Sequence, residues 1–156
     1  MMSSRALGWW FVTGQFLLLI LLVLLPNDAG FGALDFGFAA LGYLALIAGT
    51  SVLIVAARNL GRSLTAHPSP KVAGQLVTDG MYARVRHPIY SGLLLIALGI
   101  TLQNGPFPQL LVFAALWWLL NSKAGFEEQQ LLAQYPGYAE YAARTPRFVP
   151  VLKRRR

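Results

Sequence analysis

Three stretches of this chain carry no charge. Residues 6–27, 36–57 and 88–122 contain no Asp, Glu, Lys or Arg, and Leu, Ile, Val, Ala and Phe dominate each of them. A helix of about 20 such residues crosses the ~30 Å of hydrocarbon in a bilayer. One run of this kind also suits the buried helix of a soluble domain, but three in 156 residues do not. The first predicted span covers roughly 9–25 and stops at Pro26-Asn27-Asp28, with Trp9 and Trp10 at a water interface. Its apolar core is longer than that of a cleaved signal peptide and lacks an A-x-A ending. The second predicted span covers 36–57, and the four-residue spacing of Ala45 and Gly49 suits close helix packing in lipid. Asn104-Gly105-Pro106 is a turn signal inside the third run. It divides that run into a helical hairpin, 89–103 and 107–121, whose arms of about 15 residues reach only ~22 Å each. Both full crossing and shallow insertion fit such arms. The tail beyond Ser122 is polar, with a helix expected through Gln134 and a break at Pro136-Gly137.

The expected fold is therefore all-α and integral to a membrane, as one domain over 1–156. It comprises two transmembrane helices, a C-terminal helical hairpin and a cytoplasmic amphipathic tail. No Rossmann domain is expected: Gly30-Phe31-Gly32 follows no strand and meets Asp35 where a third glycine would fall.

Charge adds an orientation. The composition is 56% hydrophobic and 12% charged, with a net charge of +7. Arg5 precedes the first span, five basic residues lie within 58–87 and seven follow the hairpin, so all 13 fall on one side. Both termini are expected to be cytoplasmic. This basic balance suits an anionic membrane surface better than nucleic acid, and the terminal Lys153-Arg154-Arg155-Arg156 suits lipid contact. The chain has no cysteine, which excludes disulfides and thiolate chemistry. With two histidines, His67 and His87, no metal site is expected.

Two polar segments flank the hairpin, 74–90 and 123–128, and its antiparallel arms bring them together. Arg86 and His87 precede Pro88, a favourable first-turn residue of a helix whose N-terminal N–H groups suit a carboxylate or phosphate. Tyr82 and Tyr90 flank this point and could face a cation or an adenine ring. Lys123 and Glu127 share one helix face. Each residue also has a plainer reading. Arg86 suits an interfacial anchor, His87 a local cap, Lys123 with Glu127 a solvated ion pair, and Tyr135, Tyr138 and Tyr141 interfacial packing.

Gly80-Met81-Tyr82-Ala83-Arg84-Val85-Arg86-His87-Pro88-Ile89-Tyr90-Ser91-Gly92 resembles the G-x-Y-x-x-x-R-H-P-x-Y-x-G signature of the isoprenylcysteine carboxyl methyltransferase family, relatives of membrane phospholipid methyltransferases. The resemblance extends to Gln75-Leu76-Val77, Glu127-Glu128, Leu131, Tyr135, Tyr138, Tyr141 and the 146–150 segment, covering roughly 58–150. It implies S-adenosylmethionine as the methyl donor, bound on the cytoplasmic side. It further implies a cofactor site of Gln75, Leu76, Val77, Tyr82, Arg86, His87, Pro88, Ile89, Tyr90, Glu127 and Glu128. Lys123 stands where the family has an Arg tied to the acceptor, so it is the expected substrate-binding residue. Lysine keeps the charge and loses the bidentate fork. Tyr135-Pro136-Gly137-Tyr138 is one residue shorter than the family pattern. The expected partners are membrane lipids and a small or lipophilic methyl acceptor: a carboxylate, thiol or amine. A transporter subunit would place ionisable groups inside the uncharged runs, which have none. A non-catalytic membrane scaffold is the other reading.

Overall fold

The computed structural model describes residues 4–25, 35–65, 75–104 and 107–150. The Gly30-Phe31-Gly32 motif, His67, Lys71, the Gly105-Pro106 turn and the terminal basic cluster lie outside them. The described residues form helices and short 3-10 turns, with no strand. The helices are α1 (Ser4–Leu24), α2 (Asp35–Leu60), α3 (Pro88–Asn104), α4 (Gln109–Gln134) and α5 (Tyr138–Arg144).

Local chemistry accounts for the element ends. Gly61 takes φ +51 directly after α2, a left-handed conformation that closes a helix cheaply only at glycine. Pro88 opens α3, where its missing N–H costs no hydrogen bond. Tyr135 is extended (φ −121, ψ 109) because it precedes Pro136, so α4 cannot continue past Gln134. The second arm and the tail helix, read separately from sequence, are one unbroken helix. Its 26 residues extend about 39 Å, and α3 extends about 25 Å.

Segments Ala6–Leu24 and Phe36–Leu60 are long and apolar enough to cross a membrane. Trp9, Trp10, Phe16, Leu17, Phe36, Leu44 and Ile47 on these helices are exposed, as side chains facing hydrocarbon would be.

The helices pack antiparallel in two pairs, α2 on α3 and α1 on α4, with α3 also touching α4. The α2–α3 seam depends on missing side chains. A Cβ on Gly49 would lie 2.7 Å from the Gly92 carbonyl oxygen, and one on Gly99 would lie 2.7 Å from that of Gly42. Gly42, Gly49 and buried Ala56 recur every seven residues, so the close approach follows a heptad stripe that includes Gly49 of the predicted Ala45–Gly49 pair. On the other side, Leu22, Ala97, Leu116, Leu120 and Ala124 form the buried core. Thr101 sits within the helix layer and donates to the Ala97 carbonyl (2.9 Å), so its hydroxyl is satisfied. The antiparallel order gathers the start of α1, the end of α2, the start of α3 and the polar half of α4 at one end of the bundle.

Gly49→Ala should lower the thermal midpoint in detergent, because overpacking costs about 1–3 kcal/mol when backbone blocks the new methyl. Gly37→Ala, where a Cβ meets nothing within 4 Å, should leave it unchanged or slightly raised. Equal midpoints for the two variants would contradict the seam.

Candidate functional site

The gathered end of the bundle is assembled by three hydrogen-bonded devices. The first pins the turn at Gly80–Ala83 to the end of α2. Asn59 Oδ1 accepts from the Met81 N–H (3.0 Å), and Gly80 at φ +56 packs so closely that a Cβ would lie 2.6 Å from that oxygen. This turn carries Tyr82. The second is a strap, residues 145–150, laid across the start of α3. The Arg86 and His87 N–H groups donate to the carbonyls of Pro146 (2.8 Å) and Arg147 (3.0 Å), and Ser91 Oγ donates to that of Phe148 (2.7 Å). The chain itself thus occupies the two N–H groups just ahead of the helix start. The third is α5. Tyr141 donates to the Tyr82 carbonyl (2.7 Å), and Arg86 Nη1 donates to the Ala142 carbonyl (2.9 Å).

Glu128 ties these pieces together. Arg147 clamps it with two hydrogen bonds, Nε to Oε1 (3.0 Å) and Nη2 to Oε2 (2.6 Å). His87 Nε2 lies 3.0 Å from Oε1, and Arg86 Nε lies 3.3 Å from the same oxygen. Burial alone would raise the Glu128 pKa. The hydrogen bonds from His87 and Arg147 and the nearby positive charge outweigh it and bring the pKa down to about 2. An ionised carboxylate only accepts, so Nε2 of His87 carries the proton. Arg147 also donates from Nη1 to Asn121 Oδ1 (2.7 Å), anchoring the strap further along α4.

Beside this cluster lies a cavity of about 350 Å3, within the ~300–1,000 Å3 typical of small-molecule sites. Gln75, Leu76, Val77, Tyr82, Arg86, His87, Ile89, Tyr90, Lys123 and Glu127 all line it. Pro88 and Glu128 do not; Pro88 is fully buried in the start of α3, and Glu128 is engaged in the cluster. His87 and Tyr90 stack nearly parallel (3°, centroids 5.2 Å apart), and the Tyr90 hydroxyl donates to Glu127 Oε2 (2.9 Å). Tyr135, Tyr138 and Tyr141, for which interfacial packing was the plainer reading and which the family resemblance includes, also line the cavity. Burial raises the pKa of Tyr82, Tyr138 and Tyr141, so these phenols stay protonated at neutral pH.

Lys123 does not form the solvated pair with Glu127. It is 3% exposed, donates to Gln15 Oε1 of α1 (2.8 Å) and lies 5.0 Å from the Tyr90 ring centre. Gln15, with Val12 and Phe16, brings α1 into the cavity wall. Sequence reasoning missed Gln15. The available signal was an amide inside an otherwise apolar run, since such groups seek a partner across helices. Among the described residues, no group of three or more His, Cys, Asp or Glu side chains could hold a metal ion.

Fold and site define a helical membrane bundle with a tyrosine-lined cavity at one end. The chain belongs to the phospholipid methyltransferase (PEMT) family, whose model matches residues 38–137. It is 37% identical over 79 residues to a protein-S-isoprenylcysteine O-methyltransferase of Schizosaccharomyces pombe, covering 49% of this chain and 34% of that protein. It is 36% identical over 78 residues to protein-S-isoprenylcysteine O-methyltransferase B of Arabidopsis thaliana, covering 49% and 40%. It is 38% identical over 78 residues to the cobalt-zinc-cadmium resistance protein CzcN of Cupriavidus metallidurans, covering 49% and 36%. The matches thus span half of this chain and well under half of each relative.

The depressed Glu128 carboxyl has a signature in pH. Its stabilising contribution should be complete above about pH 5 and disappear as pH falls from the ordinary value of 4.5 toward about 2. Glu128→Gln should cost roughly 2–3 kcal/mol at neutral pH through lost charge-assisted hydrogen bonds. Thermal melts across this range should show a lower and flatter acid limb for the variant than for the parent chain.

Proposed function

We propose that this chain is a membrane-embedded methyltransferase that uses S-adenosylmethionine and methylates a lipophilic acceptor. The observation that carries the reading is the cavity. It joins a carboxylate, an aromatic wall and a buried ammonium at the end of an apolar bundle, in a chain of the phospholipid methyltransferase family. The relatives named as isoprenylcysteine methyltransferases favour the same reaction class.

The residues suit such a donor. Tyr82, Tyr90, Tyr135 and Tyr138 line the cavity, and an aromatic lining suits a cationic centre. Glu127, held by the Tyr90 hydroxyl, can accept from ribose or amino groups. The donor supplies a methyl group already activated on a sulfonium, so the chemistry calls for no nucleophilic side chain. What the chain contributes is alignment of donor and acceptor, exclusion of water and a fixed dipolar environment. His87 stacks on Tyr90 and, through Glu128, holds one wall of the cavity rigid.

The acceptor site in this reading lies at Lys123 and Gln15. Val12, Phe16, Leu64, Ile89 and Leu93 line the same cavity and suit an apolar chain entering sideways from the bilayer. The active end faces the cytoplasm, in line with Arg58, Arg84, Arg86, Lys123, Arg144 and Arg147 all lying toward that end. All four long helices then cross the membrane, and both termini share the cytoplasmic side.

Calorimetric titration with S-adenosylmethionine in detergent should show saturable binding, weakened at least tenfold by Glu127→Ala and by His87→Ala. No binding by the parent chain, or unchanged binding by both variants, would remove the basis of the proposal. The chain lacks cysteine, so single-cysteine labelling reports orientation directly. A thiol introduced as Glu140→Cys should react with an impermeant maleimide only in inverted vesicles, and one introduced as Phe107→Cys only in right-side-out vesicles. The opposite pattern would reverse the topology.

A further inference from the structure

Gln15 lies outside the residues matched by the family model and outside the 58–150 stretch of the resemblance, so neither gives it a role. Its side chain comes from α1, is 7% exposed and lines the cavity. Its oxygen accepts from Lys123 Nζ (2.8 Å), and this settles how the amide is turned, because an ammonium donates and never accepts. The amide nitrogen is the end left over. It makes no hydrogen bond among the described residues and keeps accessible surface, and the space that this side chain lines is the cavity. An amide brought into an apolar span with its N–H groups unused has given up hydration without return. Val12, Phe16, Ile89 and Leu93, which share the cavity, carry no side-chain acceptor for it.

Lys123 shows the same surplus of donors. One N–H of its ammonium goes to Gln15, and the Tyr90 ring, centred 5.0 Å away, attracts the charge through its face. Glu127, one turn along α4, receives the Tyr90 hydroxyl and no hydrogen bond from Lys123. The pair thus presents N–H donors and a positive charge, while its one amide acceptor faces the ammonium. A lysine head is a point charge without the fixed fork of a guanidinium. A neighbouring amide N–H supplies the second arm of such a fork, and two donors beside a positive charge suit an anionic oxygen pair.

We propose that Gln15 is a specificity-determining residue for the methyl acceptor, its amide N–H completing with Lys123 Nζ a two-donor grip on an oxyanion of that molecule, a carboxylate or a phosphate. This deepens the acceptor site of the reading above and rests on it. An alcohol of the same shape brings no charge to the grip, and an ammonium is repelled by Lys123. The first helix, which the family model does not reach, then takes part in choosing the substrate.

The test titrates the full chain in lipid nanodiscs with four probes that share one apolar chain: farnesoic acid, farnesyl phosphate, farnesol and farnesylamine. S-adenosylmethionine is titrated separately in the same preparation. The parent chain should bind the acid or the phosphate more tightly than farnesol, and farnesylamine most weakly. Gln15→Met keeps the length and removes the N–H groups. It should weaken the preferred oxyanion roughly tenfold or more, as for a lost hydrogen bond to a charged group, and leave farnesol and S-adenosylmethionine within twofold. Gln15→Glu keeps an oxygen for Lys123 and reverses the local charge, so the oxyanion should weaken at least as far and farnesylamine should bind more tightly than to the parent. Adding Lys123→Arg to Gln15→Met should restore the oxyanion to within threefold of the parent, because a guanidinium brings both arms itself; a packing role for Gln15 would not be restored. Unchanged oxyanion affinity in Gln15→Met, equal weakening for oxyanion and farnesol, or no recovery with Lys123→Arg overturns the grip. A parent chain that binds S-adenosylmethionine and prefers neither oxyanion overturns the grip and leaves the cofactor reading intact. A parent chain that does not bind S-adenosylmethionine removes the reading on which the grip rests.

Discussion

A single ionised carboxylate, Glu128, holds the polar end of this protein in shape. It sits 13% exposed on α4, and every donor around it comes from a different part of the chain: Arg86 and His87 ahead of α3, Arg147 from the strap. Removing water from a carboxylate is expensive unless nearby donors replace its hydrogen bonds. Arg147 and His87 do this in the fixed geometry of a fork and a ring. That requirement determines where the strap lies. With the strap in place the backbone N–H groups of Arg86 and His87 find carbonyl partners, and the imidazole proton settles on Nε2.

The cavity follows from this arrangement. His87, immobilised by Glu128, presents its ring to Tyr90; Tyr90 in turn orients Glu127. Arg86 holds α5 through the Ala142 carbonyl, and α5 brings in Tyr138 and Tyr141. The apolar half of the protein supplies the frame. Where Gly42 meets Gly99 and Gly49 meets Gly92, α2 and α3 approach to backbone contact, which puts Asn59 within reach of the turn that carries Tyr82. Polar and apolar halves are therefore mechanically coupled, with van der Waals packing setting distances that the hydrogen bonds then use.

Much of this was legible in the chain before any folding was considered. The uncharged runs disclose helices because a membrane tolerates no unpaired backbone, and the hairpin turn brings 74–90 to 123–128 by simple antiparallel return. Local signals placed the element ends well: Pro88 at a helix start and Pro136 beyond a helix end act through their own φ and the clash they impose on the preceding residue. The continuity of α4 across Ser122 was harder to read. Composition changes there from apolar to polar, but the helix repeat does not, and a helix can leave the bilayer without breaking.

The sequence by itself determined the solvent of this protein, its helices and the near neighbours across the hairpin, because these depend on hydropathy, on local backbone sterics and on short chain returns. Only the tertiary structure decided what each polar side chain does. Lys123 turned from Glu127, four residues away, to Gln15, which is 108 residues away. Glu128, expected among the cofactor-binding residues, became a clamp beside the cavity, and Tyr138, which interfacial packing would also have suited, lines it. The reason is that a polar atom leaving water must find a partner in three dimensions. Which donors and acceptors come within 3 Å depends on the packing of all four long helices, and no local stretch of sequence contains that information.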